Sequence, residues 1–374
     1  MRKNSEISLA KLTLDGYYNY GNLLQNYALQ QVLRRYATRV DTIWAQPDNF
    51  MPRCWWQWSW KQPIKYILDW KNFRTDIRSG AVGYEMARQA KMRDFADRYI
   101  NYRHDVQDFS RVADEYDAFV VGSDQVWNPI FAPEDAYYLG FAPERKRLSY
   151  AASISIPEIP AEHRERFIRG IKGMHSLSVR EQAGADLIRE MTGREAEVHV
   201  DPTMLLTADE WRAVERVPAW YHGEDYVLTY FLGTRPPEVD EITAATGLRV
   251  VNLLDLSDYV TYTTGVDEFI WAIEHASLVY TDSFHGTVFS ILFCRPFVAC
   301  NRVGSATEEN MGSRLDTLLG YFGLEGRRAT KQGGYRIPAP LAAPDWSRVE
   351  PVLGRERGRS REYLRRVIAV AGGK

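Results

Sequence analysis

The chain has 374 residues, long enough for two domains, and its 45% hydrophobic and 13% aromatic content is that of a globular protein with sizeable cores. A formal net charge of −2 supplies no basic excess for binding nucleic acid. Cys54, Cys294 and Cys300 fit no metal or redox spacing, residues 1–6 precede no signal-type apolar run, and no stretch is long enough to span a bilayer, so a cytoplasmic protein, soluble or peripheral to a membrane, is expected.

Residues 7–14 predict a strand, 15–22 a glycine-punctuated polar loop, and 23–36 a helix, because Leu23, Leu24, Tyr27, Leu29, Val32 and Leu33 recur at helical spacing. A strand at 40–44 completes a βαβ unit. Its loop belongs at the carboxyl end of a parallel sheet, where such folds hold ligands, but it matches neither a dinucleotide nor a P-loop spacing. The segment 54–70 then carries Trp55, Trp56, Trp58, Trp60 and Trp70 among lysines. Three readings stand: an anchor at a membrane interface, aromatic packing between domains, or a platform for a sugar ring.

Strands are expected at 118–121, 148–154, 176–179 and 197–200. Polar residues follow them at 122–129, at Arg180 and Glu181, and at 201–203, which suggests one shared rim. A second domain opens after 218–225, with strand 226–231, helix 237–246, strand 249–253 and helix 267–276. An apolar strand through Tyr280 leads to the stretch 281–287, followed by an apolar helix from Thr287, a strand at 296–300 and a helical tail at 343–371. In 281–287, Asp282 and Ser283 are placed to cap a helix, and Gly286 leaves room for close approach to the backbone. His285 therefore stands beside N–H donors at a helix start, where anions bind; the alternative is a capped helix followed by a core histidine. His104, His163, His175, His199, His222 and His275 form no metal-like grouping, and no metal is expected.

The predicted fold is α/β, two Rossmann-like domains facing a central cleft. The first occupies 1–217, with an aromatic insertion at about 50–100, and the second 218–340. The segment 341–374 is expected to be a helical piece packing back on the first domain.

Five ordered blocks, 19–30, 122–128, 178–181, 201–203 and 281–286, resemble the polysaccharide pyruvyl transferase family. The resemblance implies a fold similar to glycosyltransferase B and phosphoenolpyruvate as donor, with no further cofactor. The product would be a pyruvate ketal on two hydroxyls of a hexose in a surface polysaccharide or its polyprenyl-linked precursor. His285 is then the expected catalytic acid or base. Arg180, with Ser283, Phe284, Gly286 and Thr287, is expected to hold phosphoenolpyruvate, since a guanidinium suits both carboxylate and phosphate. Gly21, Asn22, Asp124, Gln125 and Arg314 are weaker candidates for the acceptor or the cleft; for Arg314 a solvated arginine at a helix start is the stronger alternative. Contact with the inner membrane face through Trp55, Trp56, Trp58 and Trp60 is a further expectation. Two other readings stay open: a glycosyltransferase using a nucleotide sugar, and a non-catalytic carbohydrate-binding relative.

Overall fold

A computed structural model describes residues 7–14, 16–44, 81–106, 108–129, 135–303 and 312–372. Trp55, Trp56, Trp58, Trp60 and Trp70 lie outside the described residues.

The first half builds β1 (Ser8–Leu12), α1 (Tyr20–Leu33), β2 (Arg39–Ile43), α2 (Ala81–Tyr99), β3 (Tyr102–Arg103), β4 (Ala118–Val121) and β5 (Arg147–Ser149). All five strands pair in parallel in the order β3-β2-β1-β4-β5. That is the order of a Rossmann half, with its direction reversing between β1 and β4. Then follow α3 (Ala161–Lys172), β6 (Ser178–Val179), α4 (Gln182–Thr192), β7 (Glu197–Val198) and α5 (Ala208–Arg212). Single parallel bridges from Leu148 to Ser176 and from Ala152 to Val179 attach β6 to the edge of β5. The strands at 148–154 and 176–179 are shorter than predicted, because these segments leave the ladder to pass their polar residues into loops.

The second half runs β8 (Tyr226–Tyr230), α6 (Pro237–Ala244), β9 (Arg249–Asn252), α7 (Tyr259–Tyr262), α8 (Val266–Glu274), β10 (Leu278–Thr281), α9 (Phe284–Leu292), β11 (Phe297–Cys300), α10 (Gly312–Phe322), β12 (Arg328–Ala329) and α11 (Val349–Ala371). Its sheet is also all parallel, ordered β12-β11-β10-β8-β9, with the reversal between β8 and β10. Two Rossmann-like units are therefore present, as their apolar, β-branched strands dictate: strands buried on both faces need helices on both sides. No helix among the described residues is long and apolar enough to cross a membrane.

α1 is the seam between the halves, and it packs on α8 and α9. Tyr20 stacks on Phe269 at 4.4 Å and donates its hydroxyl to the Thr264 carbonyl at 2.8 Å. The long α11 crosses back to the first sheet: Tyr363 Oη donates to the Ser149 carbonyl at 2.9 Å, and Arg357 donates to the carbonyls of Met204 and Leu206.

Candidate active site

The two reversal points face one another. From the first come the loop after β1, which enters α1, and the loop after β4; from the second come the loop after β8 and the β10–α9 junction. Crevices at such points are where doubly wound sheets place ligands. Between them lies a cavity of about 120 Å³, bordered by Leu14, Tyr18, Asn19, Asn22, Asp124 and Gln125 on one side and Leu232, Ser283, Phe284, His285, Arg302 and Arg314 on the other.

Two helix N-termini open onto it. Asn19 caps α1, accepting from Gly21 N at 2.9 Å, and Ser283 caps α9, accepting from Gly286 N at 3.2 Å. α9 thus begins at Phe284, directly after the expected cap residue Ser283, which puts His285 inside the first turn. Both helix ends direct unsatisfied N–H groups and positive dipole toward the cleft. Asp282 does not share in the capping. Its Oδ1 accepts from Leu232 N and its Oδ2 from Gly233 N, both at 2.7 Å, locking the β8 and β10 loops together. Across the cleft, Gln25 ties the other two loops: Nε2 donates to Thr13 Oγ1 at 2.8 Å while Oε1 accepts from Ser123 N at 3.1 Å.

Charge is concentrated behind His285. Arg180 Nη1 donates to Asp201 Oδ2 at 2.7 Å, and Nη2 to Asp124 Oδ1 at 3.2 Å. His285 Nε2 lies 3.6 Å from the same Asp201 oxygen, a close charge contact beyond hydrogen-bond distance. Burial alone would raise the Asp201 pKa, but His285, Arg180 and the Thr203 N–H hold it well below the usual carboxylate range. The guanidinium groups of Arg180 and Arg314 both lie within cation–π reach of the Phe284 ring, at 4.3 and 5.6 Å. Burial, reinforced by repulsion from Arg180, pushes the Arg314 pKa down to about 9.

Four buried nitrogens here have no protein acceptor: Nε of Arg180, Nε of Arg302, Nε of Arg314 and Nε2 of His285. Leaving a buried donor unpaired costs about 1–3 kcal/mol, more for a charged group. Arg302, Arg314 and His285 border the cavity, and three such groups there describe a site for an anion.

The predicted residues divide in two. Asn22, Asp124, Gln125, Ser283, Phe284, His285 and Arg314 border the cavity. Arg314, for which solvent was the stronger reading, is only 6% exposed. It is buried because α10 packs its first turn against the cleft, a tertiary contact with no local signature. Arg180, Gly21, Gly286 and Thr287 stand behind the wall. Thr287 Oγ1 donates back to the Ser283 carbonyl at 3.2 Å. What approaches Gly286 is its own strand, since a Cβ there would meet Thr281 Oγ1 at 2.9 Å. Gly21 is pressed on the imidazole: a Cβ would lie 2.0 Å from His285 Nδ1. Sequence reasoning assigned no role to Asp201 or Arg302. Asp201 stood in a noted strand-end block and was legible as a candidate, whereas Arg302, past the end of β11, carried no signal.

The model of the family described as polysaccharide pyruvyl transferase matches residues 19–302. No curated protein matches the chain. Among solved structures, a UDP-GlcNAc 2-epimerase of Methanocaldococcus jannaschii is similar at 12% identity and a TM-score of 0.46, over 97% of this chain and 99% of that one. The UDP-GlcNAc 2-epimerase of Neisseria meningitidis is similar at 8% and 0.42, over 93% and 99%. The glycosyltransferase SnogD of Streptomyces nogalater is similar at 12% and 0.40, over 98% and 100%.

Proposed function

The chain belongs to the polysaccharide pyruvyl transferase family, and on that premise we propose that it transfers the pyruvyl unit of phosphoenolpyruvate to two hydroxyls of a glycan hexose as a cyclic ketal. The observation that carries this reading is the set of buried nitrogens without a hydrogen-bond partner on Arg302, Arg314 and His285, three residues that border one small cavity, with Arg180 behind its wall. Phosphoenolpyruvate brings two anionic groups close together, and guanidinium N–H groups with two helix N-termini suit both. A cavity of about 120 Å³ also favours a three-carbon donor over a nucleotide sugar, whose sites resemble the ~300–1,000 Å³ of drug-sized ligands.

The chemistry balances without a further reactant. One sugar hydroxyl adds to C2 of the enolpyruvyl group as C3 gains a proton and becomes a methyl. The C2–O bond to phosphate breaks, and a second hydroxyl closes the ketal. Of the two hydroxyl protons, one ends on C3 and the other on the released phosphate. His285 is the proton-transfer group, with Asp201 as the carboxylate that orients it and Arg180 as the cation that keeps Asp201 ionised. Arg302 and Arg314 face the departing phosphate and the carboxylate. Asn19, Asn22, Gln125 and the Tyr18 hydroxyl supply the polar wall for the acceptor.

The test is incubation with phosphoenolpyruvate and a panel of free, aryl and polyprenyl-linked hexosides, following phosphate release and product mass. The expected product gains one pyruvic acid less one water. A product that gains a hexose from a nucleotide sugar, with phosphoenolpyruvate untouched, overturns the proposal. Arg314→Ala is expected to raise KM for phosphoenolpyruvate at least tenfold. Peripheral membrane contact through Trp55, Trp56, Trp58 and Trp60 belongs to the same proposal, tested by flotation with anionic vesicles before and after their replacement by serine.

A further inference from the structure

On the far side of the second domain, the end of α8 meets the segment that follows α5. Glu215, Glu274 and His275 converge there, with one potential ligand atom from each lying within 4.8 Å of the others. Acidic residues near one another are ordinary on a surface, but two features distinguish these. Glu274 is only 7% exposed, and its Oε2 is buried with no hydrogen-bond partner, as is Oε2 of Glu215. The two carboxylates face one another, and such a buried pair is held together either by a shared proton or by a cation that replaces it.

The second feature is the imidazole. His275 Nδ1 lies 3.0 Å from the Trp271 carbonyl, which can only accept, so Nδ1 carries the hydrogen. In the neutral ring that leaves Nε2 with a bare lone pair. The ring is held flat on Trp271 at a centroid distance of 4.0 Å and an interplanar angle of 11°. A ring nitrogen donating to a backbone carbonyl is the usual way a metal-binding histidine is oriented. Glu274 is oriented likewise: Arg212 Nε donates to its Oε1 at 2.7 Å, leaving Oε2 for another partner.

We propose that Glu215, Glu274 and His275 form a divalent-cation site suited to zinc, with water completing the coordination. Two carboxylates and one imidazole are a donor set that zinc accepts, and tetrahedral ligands at about 2 Å from the ion sit about 3.4 Å apart, a small inward closure from the present separation. The ion would pin the chain after α5 to the end of α8, just before β10 delivers Asp282 and His285. No spacing rule reveals such a site, because Glu215 is remote from the other two in sequence.

The test uses the full chain, stripped of metal by dialysis and titrated with Zn²⁺ by calorimetry, with Co²⁺ absorption as a second readout. One equivalent is expected to bind. It should weaken at least tenfold in both Glu274→Gln and His275→Ala and survive in His285→Ala. Because Glu274→Gln also disturbs Arg212, its fold is checked by circular dichroism; His275 is exposed, and its variant tests the site even if the other does not fold. Absence of a bound equivalent, or its persistence unchanged in His275→Ala or in a folded Glu274→Gln, overturns the proposal.

Discussion

Gly21 lacks a side chain where the reactive imidazole needs the space. A methyl group there would lie 2.0 Å from Nδ1 of His285, far inside contact distance, and α1 is too firmly packed between the domains to yield. The ring would have to move instead. Displacement of a catalytic group by about 1 Å can cost 10²-fold in rate. Gly21→Ala is therefore expected to fold and to lose about 100-fold in phosphoenolpyruvate-dependent phosphate release; near-native turnover would remove His285 from the chemistry. Asp201 makes the complementary case. It lies between Arg180 and His285 with its pKa held down, so its contribution is whole above the ordinary carboxylate range and is lost only as pH falls well below it. Asp201→Asn leaves Arg180 buried beside one carboxylate instead of two. A loss of about 3–5 kcal/mol is expected in denaturant unfolding, together with loss of activity at pH 7. At this scale the sequence exposed which residues stand at strand ends, because parallel strands read as apolar runs that stop abruptly. It did not expose which of those residues meet: the Asp201 to His285 contact joins two domains, and Gly286, read as leaving room for close approach to the backbone, is approached by its own strand.

Among the elements, α11 docks on the first sheet through a buried histidine. His199 sits between the rings of Tyr150 and Tyr363, with Ser360 Oγ 3.2 Å from Nδ1. Burial pulls its pKa down to about 4, with Arg359 acting in the same direction and Glu197 and Glu356 opposing. The unfolded chain takes up this proton near pH 6.5, whereas the folded protein resists it to about pH 4. Stability is thus complete above about pH 6.5 and falls by about 1.4 kcal/mol per pH unit as pH drops through that window. His199→Gln, which retains a polar partner for Ser360 but cannot ionise, is expected to flatten Tm against pH between 6.5 and 4.5. An unchanged slope would assign the acid sensitivity to other groups. Of the elements themselves, β4 was legible to the residue. The short strands β6 and β7 were overextended, because their pairing ends where Arg180 and Asp201 turn into the cleft, and polarity alone does not mark that point. The start of α9 was legible from Ser283, which caps it as expected, whereas Asp282, read as a second capping residue, instead ties the β8 and β10 loops.

At the scale of the molecule, the cleft exists only while both sheets are held face to face. A chain of this length with two sheets would ordinarily unfold in two steps if its interface were small and polar. Here one apolar cluster runs from Leu23 and Leu24 on α1 through Phe269 and Ile270 on α8 to Phe289 on α9. Lys91 adds a polar tie to Glu268 at 2.9 Å. A single calorimetric transition is therefore expected, with equal calorimetric and van't Hoff enthalpies. Tyr20 is the residue on which this coupling turns, since its ring stacks on Phe269, supports the Arg88 guanidinium at 4.9 Å and donates to Thr264. Tyr20→Ala removes all three contacts at the seam while leaving both sheets intact, at a cost of about 3–5 kcal/mol. The expected outcome is a split or broadened transition, with phosphate release lost at temperatures where far-ultraviolet circular dichroism is still native. If activity and secondary structure instead decline together in that variant, the two halves are not held by this seam.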